Sequence, residues 1–318
     1  MIKTNTVIII LGPTGVGKTV FSILLAKALN TEIISADSMQ VYRCMDVGTA
    51  KPSPAELRAV PHHLINILPP EETFSAGLFK EKATEIIKEL HRKNKVPLVA
   101  GGTGLYLRSL TMGLFEGPGA DRQLRKDLME EEKRLGKGHL FNKLETLDPE
   151  AAHKIEPNDL RRIVRALEVC LKERKVISEI RRQSTRASDY DFIKIGLTRD
   201  RKELYRLIEE RVDRMMKDGL LEETQRLLKM KPDRTAMQAL GYKEIRLYID
   251  GKVDLAEAVR LTKKRTKMFA KRQFTWFKKE TEINWVDITG VMDAEEIFAK
   301  VLNDVKILKK FICQGDDL

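Results

Sequence analysis

The period of the apolar positions changes several times along the chain. Val7, Ile8, Ile9, Ile10 and Leu11 form a continuous apolar run, the pattern of a strand buried on both faces. A helical pattern follows through Phe21 and Leu29. Residues 32–37 read as a second short buried strand ending in a carboxylate, and residues 37–42 as a loop or helix start. Residues 61–68 read as the beginning of another strand. Over 79–92, Phe79, Ala83, Ile86, Ile87 and Leu90 fall on one helical face, and 96–100 is a strand running into Gly101, Gly102, Thr103 and Gly104. From 121 to about 186 the pattern is helical and charged, with helices near 122–135, 138–147 and 159–173. The last starts at Pro157, Asn158 and Asp159 and carries the stripe Leu160, Ile163, Val164, Leu167 and Leu171. Residues 192–197 resume a strand and are expected to complete the sheet. Helices follow over 201–219, on the stripe Leu204, Ile208, Val212, Met215 and Met216, and from 219 onward. Residues 236–244 hold a turn glycine, Gly241, beside Tyr242; 258–279 form a long helix, and 290–318 an amphipathic helix with a frayed end.

Strands alternating with helices predict an α/β fold with a parallel sheet flanked by helices. The glycine-rich break at 113–119 and the return linker at 184–191 set off a small all-helical domain inserted into that sheet domain. The expected division is 1–118 for the first part of the core, 119–189 for the insertion, and 190–318 for the completed core with basic C-terminal helices.

Composition narrows the class. The chain has 318 residues, 42% apolar and 33% charged, which describes a soluble globular protein. No apolar run is long enough to cross a bilayer, so a cytoplasmic protein without a membrane partner is expected. Cys44, Cys170 and Cys313 lie too far apart for a disulfide framework or a zinc spacing and read as reduced thiols. Adjacent histidines, His62 and His63, point to opposite sides of an extended chain and make a poor metal pair. The net charge of +11 suggests a polyanionic partner. Its densest stretch is 258–279, where Arg260, Lys263, Lys264, Arg265, Lys267, Lys271, Arg272, Lys278 and Lys279 interleave with Met268, Phe269, Phe274, Trp276 and Phe277, with no acid. Arg161, Arg162 and Arg165 form a second group beside the apolar stripe of their helix; they are either a solvated face or a phosphate contact.

The chemistry begins at Gly12, Pro13, Thr14, Gly15, Val16, Gly17, Lys18 and Thr19, which match G-x-x-x-x-G-K-[ST] between a strand and a helix. Such a loop curls its N–H groups around one anion, the helix start adds its positive dipole end, Lys18 adds a point charge, and the Thr19 hydroxyl can ligate Mg²⁺. The motif establishes a di- or triphosphate site and a P-loop NTPase-like sheet, without specifying ATP. Asp37 stands where ligands bind in doubly wound sheets, at the C-terminal end of a strand. It can hold Mg²⁺ through water, act as a general base, or cap a helix. The glycines at 101–104 end another strand and are expected to line the same crevice. No [NT]-K-x-D guanine reader is present, and the strand at 96–100 ends without the acid usual in motor ATPases. A small-molecule kinase and a non-catalytic RNA-binding module remain as alternatives.

Together these segments resemble the tRNA dimethylallyltransferase family. The resemblance is carried by residues 12–19, 34–42, 45–52, 99–106, 157–168 and 270–277, in motif order across about 7–285. It implies transfer of a dimethylallyl group from dimethylallyl diphosphate to N6 of the adenosine 3′-adjacent to the anticodon, with the P-loop holding the diphosphate leaving group. It further implies that Asp37 hydrogen-bonds the exocyclic amine and takes its proton, and that Thr19 is the Mg²⁺ and phosphate threonine. Lys18 and Arg211 would stabilise charge on the leaving group. By the same resemblance the tRNA anticodon stem-loop meets Asp37, Ser38, Met39, Gln40, Gly101, Thr103, Gln123, Arg161, Arg162, Ile163, Val164, Arg165, Gln238, Ala239, Leu240, Gly241, Tyr242 and Lys243, with the adenine flipped from its stack. The chain lacks the Cys and His pairs of the zinc finger found in many eukaryotic members, so a bacterial-type, monomeric enzyme is expected. The alternative within the family is an adenylate isopentenyltransferase.

Overall fold

A computed structural model describes residues 5–113, 117–173, 175–184 (backbone only for 181–184) and 188–312. In chain order the elements are β1 (Thr6–Leu11), α1 (Lys18–Ala28), β2 (Ile33–Ser35), α2 (Pro54–Ala59), β3 (His62–His63), α3 (Ala76–Arg92), β4 (Leu98–Gly101) and α4 (Gly104–Thr111). Then come α5 (Arg122–Leu135), α6 (His139–Leu147), α7 (Pro149–His153), α8 (Leu160–Glu173) and α9 (Ile177–Ser184). The chain continues with β5 (Asp191–Thr198), α10 (Arg201–Lys217), α11 (Leu220–Lys229), a 3-10 turn (Ala236–Gln238), α12 (Tyr242–Ile249) and α13 (Leu255–Phe277). It ends with β6 (Ile283–Asp287), α14 (Ala294–Asp304) and α15 (Ile307–Ile312). Among the described residues no helix is long and apolar enough to cross a membrane.

All strand pairs are parallel, in the order β3-β2-β4-β1-β5-β6. β1 lies between β4 and β5 and is buried on both faces, as its unbroken apolar run requires. Val7, Ile9 and Leu11 join the core layer with α3, α4 and α12, where Phe79 stacks on Tyr106 at 4.5 Å. Ile8 and Ile10 join the opposite layer with Phe21, Leu25 and Val301. This is a P-loop NTPase-like sheet covered by helices on both faces.

The chain divides into two compact units. One comprises the segments up to Thr111 and from Asp189 onward; the other is Met112–Ser188. The second unit is entirely helical among its described residues and has its own core, including Leu128, Leu140, Leu144, Ile163, Val164 and Leu167. α8 starts where Asp159 accepts from the Arg162 N–H at 3.2 Å. Glu168, fully buried on α8, accepts from the Asp121 N–H at 2.6 Å and from both Arg125 Nε (2.9 Å) and Nη2 (2.8 Å). Arg165 also donates to it and reaches the Pro118 carbonyl at 2.9 Å.

Several sequence expectations are corrected. The sheet is not completed at 192–197: β6 adds a sixth strand beside β5. The strand expected over 61–68 shrinks to two residues, because Leu64 and Asn66 take positive φ and the chain turns back to a bridge between Tyr42 and Leu68. Of the loop and the helix start left open over residues 37–42, the structure shows the loop, as a turn over 38–41. Leu171 is 44% exposed and lies outside the core stripe of α8. His62 and His63 are separated in role: His63 Nε2 meets Glu32 at 2.7 Å, and His62 Nδ1 the Val60 carbonyl at 2.8 Å. Cys44 is exposed and Cys170 buried, both as free thiols, while Cys313 and the expected frayed end at 313–318 lie outside the described residues.

Candidate active site

The glycine loop runs from the end of β1 to α1, whose N-cap Gly17 takes φ 113°, in the left-handed region. Lys18 Nζ donates to the carbonyls of Gly12 and Pro13, each at 2.9 Å, and so arches back over the loop. Burial pulls the Lys18 ammonium down to about 7; the Asp37 carboxylate opposes that shift and the Arg211 guanidinium adds to it. Arg211 reaches the loop from α10, its Nη1 donating to Thr14 Oγ1 at 3.2 Å. Burial also lowers the Arg211 pKa, against the pull of Asp37 and with a contribution from Arg214. Three distant segments, at 12–19, 37 and 211, thus form one electrostatic cluster of two cations and one carboxylate.

Asp37 follows β2. Its Oδ1 accepts from the backbone N–H of Met39 at 2.9 Å and of Gln40 at 3.4 Å, which orders the turn over 38–41. The capping role expected for an aspartate is therefore present on a turn, through one oxygen. Asp37 Oδ2 takes no hydrogen bond among the described residues. The turn is fastened to the glycine-rich segment after β4: the Ser38 N–H donates to Thr103 Oγ1 at 3.0 Å, and the Thr103 N–H to the Ala36 carbonyl at 3.1 Å. Two glycines here are dictated by close approach. A Cβ at Gly101 would lie 2.2 Å from the Ala36 carbonyl oxygen, and one at Gly102 would lie 2.3 Å from Gln273 Nε2.

Behind the turn, Gln40 accepts from Ser35 Oγ at 3.1 Å and donates to the Ala50 carbonyl at 3.3 Å. The segment over 46–48 is held by one buried carboxylate. Glu223 on α11 accepts from the N–H groups of Asp46 (2.9 Å), Val47 (3.0 Å) and Gly48 (3.0 Å) and from the Tyr242 hydroxyl (2.6 Å). Lys51 lies against Asp46 Oδ1 at 2.7 Å and Asn66 Oδ1 at 2.6 Å. Neither Glu223 nor Gln273 was singled out from the sequence. Gln273 stands inside a segment that carries the family resemblance, which was its only signal; Glu223 had none, since its partners lie 175 to 177 residues away on the Asp46–Gly48 side.

The remaining candidate contacts divide by burial. Gln238 is exposed, Leu240 and Lys243 are half-buried, and Ala239, Gly241 and Tyr242 are buried. Tyr242 acts inside the protein, on Glu223. In the helical unit, Arg161 and Arg162 are exposed on α8 and Gln123 is exposed on α5, donating to Asp127 at 2.7 Å. Ile163 and Val164 sit in that unit's core, and Arg165 turns toward Glu168. On α13 the apparent one-sign charge is partly neutralised, by other helices and by one acid of its own first turn. Lys263 pairs with Asp213, Arg265 with Glu244, Lys267 with Glu209, and Arg260 with Glu257. Lys264, Lys271 and Arg272 are exposed and form no ion pair among the described residues.

The site therefore offers an anion cradle, two cations and a carboxylate with one oxygen to spare, next to one hydroxyl, Thr19, suited to a hard cation. Among the described residues no group of three His, Cys, Asp or Glu could enclose a metal. A lone hydroxyl fits Mg²⁺, which keeps several waters and takes its other oxygens from substrate phosphates.

Known proteins resemble this chain over nearly its full length. The family model described as IPP transferase matches residues 40–280. A tRNA dimethylallyltransferase of Thermodesulfovibrio yellowstonii is 54% identical over 302 residues, 93% of this chain and 96% of that one. The crystal structure of a tRNA isopentenylpyrophosphate transferase from Bacillus halodurans superposes with a TM-score of 0.70 at 40% identity, covering 96% of this chain and 98% of that one. Crystallographic snapshots of a eukaryotic dimethylallyltransferase acting on tRNA give a TM-score of 0.81 at 29% identity, over 98% of this chain and 85% of that one. With a family model over most of its length and relatives this close, the chain belongs to the IPP transferase family, the tRNA dimethylallyltransferases, and is a prenyl-transferring enzyme.

Proposed function

We propose that the protein transfers the dimethylallyl group of dimethylallyl diphosphate to N6 of the adenosine 3′-adjacent to the anticodon in tRNA, releasing diphosphate. The observation that carries this reading is the convergence of Lys18, Arg211 and Thr14 on one loop with Asp37, whose Oδ2 has no partner among the described residues. The bond between the allylic carbon and the diphosphate oxygen breaks, and a bond from that carbon to N6 forms. Negative charge grows on the leaving diphosphate, where the loop N–H groups, Lys18 and Arg211 lower its energy. N6 loses its proton to the Asp37 carboxylate. Thr19 would hold a Mg²⁺ ion together with the diphosphate oxygens; when bound, that ion supplies further charge neutralisation. Exposed cations suited to phosphate contacts are Lys264, Lys271 and Arg272 on α13 and, in the helical unit taken by itself, Arg161 and Arg162.

The test is transfer of label from dimethylallyl diphosphate, with Mg²⁺, to an unmodified anticodon stem-loop, with AMP and ATP as control acceptors. Label on the RNA alone is expected. Label on free nucleotide would shift the reading to an adenylate isopentenyltransferase, and ATP consumption with small acceptors to a kinase.

A further inference from the structure

Gln273 is 7% exposed on α13 and faces two loops at once. Its Oε1 accepts from the Thr14 N–H at 2.8 Å, in the middle of the glycine loop. Its Nε2 donates to the Gly102 carbonyl at 2.8 Å, in the segment that fastens the Asp37 turn. The amide orientation follows from the partners: an N–H requires the oxygen and a carbonyl requires the NH₂. No other side-chain type of that size offers an acceptor and a donor in this arrangement without a charge. Gly102 is glycine at this point because any Cβ would displace the amide. One turn further along α13, Trp276 packs against Gly104, where a Cβ would fall 2.4 Å from the indole. Thr103 lies between those glycines and carries the two hydrogen bonds to Ala36 and Ser38.

We propose that Gln273 is a positioning residue that sets the separation between the loop receiving the diphosphate and the turn bearing Asp37. This rests on the function proposed above. Displacement at the allylic carbon requires leaving group and amine to be aligned across it, and a misplacement of about 1 Å costs on the order of 100-fold in rate. Gln273 contacts neither reacting group directly; it acts through the Thr14 N–H and the Gly102 carbonyl. The Thr14 N–H it occupies is also withdrawn from the anion, so the loop presents its remaining N–H groups in a fixed set. The same helix bears Lys264, Lys271 and Arg272, so RNA drawn onto α13 bears on the element that spaces the two halves of the site.

The experiment compares wild type, Gln273→Ala and Gln273→Glu by steady-state transfer to the stem-loop from pH 6 to pH 8. Thermal melting accompanies each. Gln273→Ala is expected to lower kcat by about 10- to 100-fold while changing KM for the RNA by less than about twofold. Gln273→Glu can accept from Thr14 at any pH but donates to Gly102 only when protonated. Its kcat relative to wild type is therefore expected to rise as the pH falls. Lys18, Arg211 and Asp37, the charged groups of the site, are common to both enzymes, so the ratio removes the pH dependence they share. A Gln273→Ala enzyme with wild-type kcat and only a lower melting temperature overturns the proposal, as does a loss confined to KM for RNA. If Gln273→Ala fails to fold, the Gln273→Glu ratio decides, and a flat ratio overturns it. Absence of transfer by the wild type itself would instead reject the function proposed above.

Discussion

Burial and the Asp37 carboxylate act on Lys18 in opposite directions, and Lys18 and Asp37 can each be tested singly. Without a ligand, Lys18 has little surplus positive charge above pH 7, because burial favours its neutral form. A diphosphate favours the ammonium, so its binding at pH 8 is expected to take up close to one proton. The sign follows from the order of the pKa values: about 7 in the free protein and higher in the complex, so uptake vanishes below pH 6 and affinity falls as the pH rises through 7. Calorimetry in HEPES and in Tris measures this from the buffer dependence of the heat, and equal heats at pH 8 would contradict it. Asp37→Asn preserves the turn, since the amide oxygen can still accept from Met39 and Gln40, but removes the proton acceptor. Transfer is expected to fall by about 10²–10⁴-fold with stem-loop affinity nearly unchanged, read by single-turnover kinetics beside a filter-binding titration.

At the scale of elements, buried carboxylates do the fastening. Glu168 ties α5 and α8 to the segment at 118–121, and Glu223 ties α11 and α12 to the segment at 46–48. Glu168→Ala leaves Arg125 and Arg165 without their buried counter-ion and is expected to destabilise the helical unit by about 3 kcal/mol. Urea unfolding followed by a probe on α8 would show it as a lowered midpoint. These fastenings also mark how far the sequence could be read. The glycine loop, the strand ending in Asp37 and the helices near 122–135, 138–147 and 159–173 were legible because their signals are local: spacing, period and a cap at Asp159. β6 was not, because Asn284 and Trp285 are exposed on an edge strand and break the apolar run that marked β1. Gln273 and Glu223 were not, because Gln273 meets Thr14 across 259 residues, and hydrogen-bond partners at that distance leave no periodicity. The all-basic reading of α13 overstated its free charge for the same reason: Asp213, Glu209 and Glu244 come from other helices.

For the whole molecule, the net charge of +11 is a statement about salt. Each phosphate contact neutralised by a cation releases counterions, so affinity for the stem-loop should fall steeply with ionic strength. Lys264→Ala and Lys271→Ala are each expected to reduce the slope of log K against log salt by about 1, whatever the anticodon sequence. Lys263→Ala, which breaks the pair with Asp213, should leave that slope nearly unchanged. Titrations between 50 and 200 mM salt separate the two classes.

The strand order also governs how the chain is made. β1 pairs with β5, and β5 with β6, yet the whole helical unit is translated between β4 and β5. On the ribosome, the segment with its own core, Met112–Ser188, emerges complete while its host still has an unpaired central strand edge. At about 5–20 residues per second, the wait for β6 lasts on the order of 5–20 s. A nascent chain stalled once Ser188 has left the exit tunnel, but before β6 has, should therefore show a protease-resistant helical fragment flanked by a digestible N-terminal segment. Resistance of the first segment should appear only when the residues of β6 have cleared the exit tunnel.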